Sequence, residues 1–257
     1  EVIALIEKQY DKVDLKIFDT RAEMGRVAAE EAASCLRELL EKEPEINCIF
    51  AAAPSQSEFL EELCKQPGID WTRVNGYHMD EYVGLSLGHE KSFNHFLSES
   101  IFNKVPFKSA NLIDGSRPVE EETARYGQLL RNAPTHVTFM GIGENGHIAF
   151  NDPPVADFED KEVIKKVKLD LVCRQQQVHD KCFDTLDEVP EYALTVTVPR
   201  LMASQYIFCI VPSDKKHDAT VAALTGPVST ACPASILRRT DNVRMYIDKA
   251  CAGDLAK

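Results

Sequence analysis

The chain has 257 residues, of which 44% are hydrophobic and 27% are charged, and its formal net charge at pH 7 is −12. This length buries one large core or two small ones, and no linker, repeat or low-complexity tract marks a boundary, so we expect one domain over residues 1–257. The negative charge argues against a nucleic-acid partner, which needs a basic surface. No apolar run approaches the roughly 20 residues that span a bilayer, and the N-terminus lacks the features of a signal peptide, so we expect no membrane partner.

The eight cysteines form no C-x-x-C pair and no His/Cys cluster with the spacing of a zinc site. Some of them, such as Cys48 and Cys209, lie within apolar runs, where a free thiol behaves as a small hydrophobic group. This usage favours a reducing cytoplasm, and nothing in the sequence demands a metal ion.

Strands and helices are predicted to alternate along the chain. Thr20 and Glu23 form a capping box that opens a helix reaching to about residue 43. The next predicted elements are a strand over 46–53, helix 55–65, strand 71–77, helices 91–102 and 119–131, strand 136–142, a half-exposed strand over 163–169 and a strand over 206–211. This order predicts an α/β fold that is single-domain and Rossmann-like, with a mainly parallel sheet and helices on both faces.

The turn after the first buried strand reads Ala53-Pro54-Ser55-Gln56-Ser57 and opens a helix. A helix N-terminus presents unpaired N–H groups and the positive end of its dipole, and the hydroxyls of Ser55 and Ser57 add donors. These features suit a phosphate group. The alternative is that the serines only cap the helix, which is common.

Two further segments follow strand-like runs and carry groups suited to proton transfer. Asp80 and Glu81 come after residues 71–77, and consecutive side chains at a strand end point to opposite sides, so we expect them to have different tasks. His147 lies in the glycine-punctuated run 141–153, where Asn145 and Asp152 are close enough to orient it, and an ordinary imidazole titrates near neutrality. The alternatives are an acidic turn or cap and a solvated loop with a structural histidine.

Taken together, the segments MDEYVGL (79–85) and GIGENGHIAFNDP (141–153) resemble the glucosamine-6-phosphate deaminase/isomerase family, and the resemblance extends to VPEYALTV (189–196). It implies an enzyme that opens the ring of an aminosugar phosphate, isomerises aldose to ketose and releases ammonia without a cofactor. In that scheme Asp80 is the base that moves a proton between C2 and C1, and His147 is the acid/base of ring opening. Asn145 and Asp152 then position or tune His147.

The same resemblance implies a phosphate site made of Ser55, Gln56 and Ser57 together with Lys215 and an arginine. Arg174 is the candidate for that arginine, and Lys181 competes with it. The polar stretch 170–189 resembles a mobile lid over the site, and its alternative is a surface loop with one helical turn.

This chain departs from well-known members of the family at three places. Asn145 stands where several of them have Asp, and Asp152 stands where Glu is usual. The APSQ turn, which has no glycine, is typical of a divergent branch of the family.

Two alternative functions stay open from the sequence. A 6-phosphogluconolactonase-like hydrolase shares the fold but typically continues its loop as TASLFP, where this chain has Ile148 to Asp152. A non-catalytic sugar-phosphate sensor has no need of Asp80 and His147 together. The family includes regulated hexamers and unregulated monomers, so a homo-oligomer is a further open alternative.

Overall fold

The computed structural model describes residues 4–257, and its main sheet confirms the predicted fold class. The strands of residues 4–257 are β1 (Ile6–Tyr10), β2 (Val13–Phe18), β3 (Ile46–Phe50), β4 (Val74–His78), β5 (Asp80–Tyr82), β6 (Ser109–Asn111), β7 (Val137–Met140), β8 (Ile164–Lys168), β9 (Tyr192–Val196), β10 (Tyr206–Val211) and β11 (Val243–Asp248). The helices are α1 (Arg21–Lys42), α2 (Ser57–Lys65), α3 (Phe93–Leu97), α4 (Val119–Arg131), α5 (Leu171–His179), α6 (Val198–Met202), α7 (His217–Thr225) and α8 (Lys249–Ala252).

Eight strands form the main sheet in the order β1-β2-β11-β10-β7-β3-β4-β6. Every neighbouring pair is parallel except β1 and β2, which form an antiparallel hairpin. The central strands β3 and β7 are buried along their whole length, as expected for a parallel sheet covered on both faces. The strand order changes direction between β3 and β7, and ligands of open α/β sheets bind at such a point, beyond the carboxyl ends of the strands.

Helices cover both faces, as the sequence predicts. On one face α1 and α2 pack with aromatic residues of the sheet, among them Phe50, Phe139 and Phe208. On the other face α4 and α7 pack against the opposite side chains of the same strands, such as Ile49 and Cys209. Alternate residues of each strand therefore serve two hydrophobic cores.

Local signals fix several element boundaries. The hydroxyl of Thr20 accepts a hydrogen bond from the backbone N–H of Glu23, which confirms the predicted start of α1. A tight helical turn over Pro54–Gln56 precedes α2, so the helix predicted over 55–65 begins at Ser57. Helix α4 spans the predicted range 119–131.

The structure also holds elements that the sequence did not predict. The hairpin β1–β2 adds an edge to the sheet. The strands β5 and β9 join β8, which was predicted as the strand over 163–169, in a separate three-stranded antiparallel sheet. Residues 171–179 form the helix α5, capped by the side chain of Asp170, within the stretch expected to be a polar lid or loop. No helix within residues 4–257 has the length and apolar character needed to cross a membrane.

Candidate active site

A cavity opens beyond the carboxyl ends of β3, β4 and β7, at the point where the strand order changes direction. Six segments line it: the turn after β3, the beginning of β5 with the residue before it, the first residue of α3, the glycine-rich loop after β7, helix α5 with the turn after it, and the turn before α7. Its polar lining side chains are Ser55, Gln56, Asp80, His147, Gln176, Gln177, Asp180, Cys182 and Lys216.

Asp80 lies at the first residue of β5 and lines the cavity, with only 6% of its surface exposed. Burial raises the pKa of its carboxyl well above the usual range, and the nearby carboxyls of Glu81 and Asp152 raise that pKa further. The pairing of β5 with β9 fixes the backbone of Asp80 opposite Thr195. Asp80 is therefore a buried acid held on a strand and facing a cavity.

Glu81 points away from the cavity, as strand alternation predicts. Its carboxylate accepts hydrogen bonds from the backbone N–H groups of Tyr82, Phe93 and Asn94 and from the side-chain amide of Asn94. It thereby satisfies the first N–H groups of α3. Burial raises the pKa of Glu81 to about 7, although these hydrogen bonds oppose the shift. Glu81 anchors the segment that carries Asp80.

The loop after β7 holds His147 against its own backbone. A Cβ placed on Gly143 would lie 2.0 Å from the imidazole ring, so only glycine fits at that position. The Nδ1 atom of His147 lies 2.5 Å from Oδ1 of Asn145 and 3.3 Å from Oδ1 of Asp152. Because both neighbours are acceptors, the proton of the neutral ring belongs on Nδ1, and Nε2 keeps its lone pair.

The protonation state of His147 differs from the sequence expectation. The side chain is 6% exposed, and burial lowers its pKa to about 3, with a smaller contribution from the positive charge of Lys216. This pKa lies well below the ordinary value near neutrality that was assumed from the sequence. His147 is neutral at pH 7, and its unprotonated Nε2 is a base rather than an acid.

Asp152 reaches His147 despite its short side chain. Its Oδ2 atom accepts a hydrogen bond from the backbone N–H of Asp170, which ties the loop to the beginning of α5. Burial raises the pKa of Asp152 to about 6, and the bond from Asp170 opposes that shift. Asp152 therefore becomes ionised as the pH rises through the range just below neutrality.

The predicted phosphate turn contributes fewer donors than expected. The Nε2 atom of Gln56 donates to the carbonyl oxygen of Ile210 at 3.0 Å and lies 3.3 Å from Oγ of Ser55. Gln56 thus braces the turn against β10, and its amide donor is already used. Ser57 is exposed and lies outside the cavity lining, so its assignment to phosphate is wrong. Ser55 lines the cavity and keeps its hydroxyl proton for a ligand.

The lysine that faces the cavity is Lys216, and the assignment to Lys215 is wrong. Lys215 is exposed, and its Nζ atom lies 3.4 Å from the carbonyl oxygen of His179. Lys216 is 5% exposed and lines the cavity. Burial lowers its pKa, and the carboxylates of Asp180 and Glu144 oppose the shift.

Arg174 does not reach the cavity either. Its Nη2 atom donates to the carbonyl oxygens of Leu186 and Val189 at 3.0 and 3.1 Å, so the guanidinium joins α5 to the segment that follows it. Lys181, the competing residue, lies in an adjoining groove together with Lys91. The assignment of Arg174 to phosphate is therefore corrected, because backbone carbonyls hold its side chain elsewhere.

Sequence reasoning missed Lys216 and three residues of the α5 region. Lys216 is in phase with the buried residues of α7, Ala219, Thr220 and Ala223, and an i, i+3, i+4, i+7 count would have selected it over Lys215. Gln176, Gln177 and Asp180 line the cavity because 171–179 is helical. Because that helix has few apolar residues, the sequence does not show which of its side chains face inward.

Comparison with known proteins adds independent findings. The family model described as "Glucosamine-6-phosphate isomerases/6-phosphogluconolactonase" matches residues 19–246. The chain is 32% identical over 207 residues to the glucosamine-6-phosphate deaminase of Streptococcus pyogenes serotype M1, which covers 80% of this chain and 86% of that protein. A relative of the same name from Streptococcus equi subsp. zooepidemicus has the same identity and the same coverage of both chains.

Solved structures agree with the architecture. A monomeric glucosamine-6-phosphate deaminase superposes with a TM-score of 0.83 at 25% identity and covers 93% of this chain and 98% of its own. A 6-phosphogluconolactonase from Thermotoga maritima superposes with a TM-score of 0.75 at 18% identity, over 93% of this chain and 100% of its own. At that identity the second likeness shows the fold alone.

Proposed function

The chain belongs to the glucosamine-6-phosphate isomerase/6-phosphogluconolactonase family, and we propose that it deaminates an aminosugar phosphate, converting glucosamine 6-phosphate or a close isomer to the ketose phosphate and ammonia. The relatives that support this assignment are named glucosamine-6-phosphate deaminases and match most of both chains. The eight free thiols fit a reducing compartment, and the cytoplasm is part of the proposal.

One observation carries the choice of an amino sugar: a buried acid, Asp80, lines the cavity, and two further buried carboxyls lie close behind it. Asp80, Glu81 and Asp152 are all buried, and each has a raised pKa. A cation bound in the cavity beside Asp80 favours the ionised form of that carboxyl, because an opposite charge nearby lowers its pKa. The ammonium group of an amino sugar is such a cation, whereas a lactone carries none beside its reacting carbonyl. A substrate with an amino group would thus generate the carboxylate that its own reaction needs.

The proposed reaction needs only proton transfers and water. Nε2 of His147 takes the proton of the anomeric hydroxyl and returns it to the ring oxygen, which opens the ring to an aldehyde. The Asp80 carboxylate removes the proton from C2 while the aldehyde oxygen at C1 gains a proton from the substrate's ammonium group, which gives an enolamine. Asp80 then delivers its proton to C1, and this leaves a hydroxyl at C1 and a protonated imine at C2. Water hydrolyses the imine to a ketone and ammonia, so that one water is consumed for each ammonia released.

The other groups would position the reactants. Asn145 would hold Nδ1–H of His147 and Asp152 places a carboxylate 3.3 Å from the same nitrogen, which keeps the lone pair on Nε2. The hydroxyl of Ser55 and the ammonium of Lys216 line the same cavity and are the donors we assign to the phosphate. Binding energy at the phosphate would then orient the reacting carbons.

A panel of substrates tests the proposal. Ammonia and ketose phosphate are measured with the 6-phosphates of glucosamine, galactosamine and mannosamine, and hydrolysis of 6-phosphogluconolactone is measured in parallel. We expect stoichiometric ammonia and ketose from at least one amino sugar, and loss of both products in the Asp80→Asn variant. Lactone hydrolysis without ammonia release would replace the proposal with the lactonase alternative. Tight binding of all sugars without turnover would favour a sensor.

A further inference from the structure

Beside the cavity lies a buried cluster of three residues with different donor atoms, of which only His147 lines the cavity. We propose that His147, Asp152 and Cys173 form a site for a thiophilic divalent cation such as Zn²⁺, and that an ion bound there inhibits the enzyme by capturing the imidazole. The site links the loop after β7 to the first turn of α5, because Cys173 belongs to α5.

The geometry is close to that of a zinc site. One ligand atom from each of the three residues lies within 4.8 Å of the other two, and all three residues are buried. Bonds of 2.0–2.3 Å in a tetrahedron place ligand atoms roughly 3.3–3.7 Å apart, so the side chains need to close by about 1 Å. Nδ1 of His147 and Oδ1 of Asp152 are already 3.3 Å apart.

One atom of the cluster lacks a partner. Oδ1 of Asp152 is buried and makes no hydrogen bond of good geometry within residues 4–257. Leaving a buried carboxylate oxygen unsatisfied is costly, and coordination of a cation removes that cost. Neither Cys173 nor Asp152 lines the cavity.

The chemistry of the donors selects the ion. Imidazole, carboxylate and thiolate together suit Zn²⁺ or Cd²⁺, whereas Mg²⁺ and Ca²⁺ prefer oxygen alone. When the ion binds, the Cys173 thiol loses its proton to solvent, so one carboxylate and one thiolate balance the two positive charges. A complex with no net charge is compatible with a fully buried site.

Inhibition follows from the tautomer of His147. In the proposed reaction Nδ1 carries the proton and Nε2 carries the lone pair. A metal on Nδ1 moves that proton to Nε2, where the ring then donates and no longer accepts. The ion also cross-links the loop to α5, which stabilises the folded protein.

Cd²⁺ tests binding directly, because a cadmium–thiolate bond absorbs in the ultraviolet and the measurement needs no substrate. We expect one equivalent of Cd²⁺ to produce this absorption and to raise the melting temperature of the wild-type protein. Zn²⁺ should inhibit turnover reversibly, with recovery on addition of EDTA. A protein without deaminase activity would still show the Cd²⁺ absorption, so failure of the proposed function and failure of this site are distinguishable.

Cys173→Ser removes the soft ligand, and Cys232→Ser is its matched control. The sulfur of Cys232 packs against Gly146 in the same loop, where a Cβ would lie 2.7 Å from it, but Cys232 is not part of the cluster. We expect Cys173→Ser to lose the Cd²⁺ absorption and to weaken inhibition by Zn²⁺ on the order of 10- to 100-fold, while Cys232→Ser behaves as wild type. Cys173→Ala repeats the test if the serine variant does not fold. Unchanged inhibition in both Cys173 variants, or loss of the absorption in Cys232→Ser or Cys182→Ser instead, would overturn the proposal.

Discussion

Replacement of the two adjacent lysines before α7 separates the proposed phosphate ligand from a solvated neighbour. Lys216→Met removes the ammonium but keeps a long apolar side chain that fills the buried space, and Lys215→Met is the same change at an exposed position. Only Lys216 lines the cavity. We therefore expect a loss of affinity for the phosphorylated substrate in one variant and nearly normal kinetics in the other.

The size of the loss follows from the surroundings of Lys216. The ammonium is largely withdrawn from water, with 5% of the residue exposed, so its bond to a phosphate is not screened as it would be at the surface. A hydrogen bond to a charged group contributes about 1.5–3 kcal/mol, which corresponds to a rise in KM of roughly 10- to 160-fold. The exposed Lys215 should change KM by less than about 2-fold.

The assay compares kcat/KM for glucosamine 6-phosphate and unphosphorylated glucosamine in the wild type and in both variants. If Lys216 acts on the phosphate, kcat/KM of Lys216→Met falls only with the phosphorylated sugar. Equal losses on both sugars would mean that Lys216 acts on the sugar or on His147. A larger loss in Lys215→Met than in Lys216→Met would refute the assignment altogether.

Two further predictions concern buried titratable groups. Asp80→Asn should lower kcat at least about 100-fold without unfolding the protein, since an amide cannot accept a carbon-bound proton. Glu81→Gln is measured beside it, and near-normal turnover of Asp80→Asn would exclude Asp80 as the base. His78 is fully buried, and burial lowers its pKa to about 3 from an unfolded value of about 6.5, so its contribution to stability is full above pH 6.5 and falls by about 1.4 kcal/mol per unit as the pH drops below that value. His78→Gln should have a lower free energy of unfolding than wild type at about pH 8. Urea unfolding should show this difference becoming smaller towards about pH 5.5, and a difference independent of pH would show that His78 is not held neutral.

Local signals made four of the eight strands of the main sheet predictable, namely β3, β4, β7 and β10. Capping by Thr20 and the helical periodicity of 119–131 are properties of short segments, and both survive in the structure. The apolar runs that became β3, β7 and β10 are buried strands in the centre of a parallel sheet, where nearly every side chain must be apolar. Such runs can be recognised without knowing which strands they join.

The second sheet depends on pairings that are distant in sequence. Tyr82 in β5 pairs with Ala193 in β9, more than a hundred residues later, and β9 pairs with β8. No short segment contains that information. Helix α5 was missed for a related reason: its inward side chains Gln176 and Gln177 are polar because they face a cavity, so the apolar stripe that announces a helix is absent.

The candidate site shows the same division between what a sequence motif specifies and what burial decides. The two motifs predicted which residues stand near each other, and the structure brings Asp80, His147 and Asp152 to one cavity region. They could not predict the protonation states, because a pKa depends on the water that the whole fold excludes.

Burial makes Asp152, rather than His147, the residue whose charge changes near neutral pH. The imidazole, with a pKa of about 3, stays neutral through the physiological range, while the carboxyl of Asp152, with a pKa of about 6, changes charge within it. In the proposed ring opening His147 takes a proton, and an ionised Asp152 at 3.3 Å would stabilise the imidazolium much more than a protonated one. We therefore expect the acid limb of the pH–rate profile to report the ionisation of Asp152 and Asp80 rather than that of His147. Asn145, which cannot ionise, leaves Asp152 as the charge closest to Nδ1.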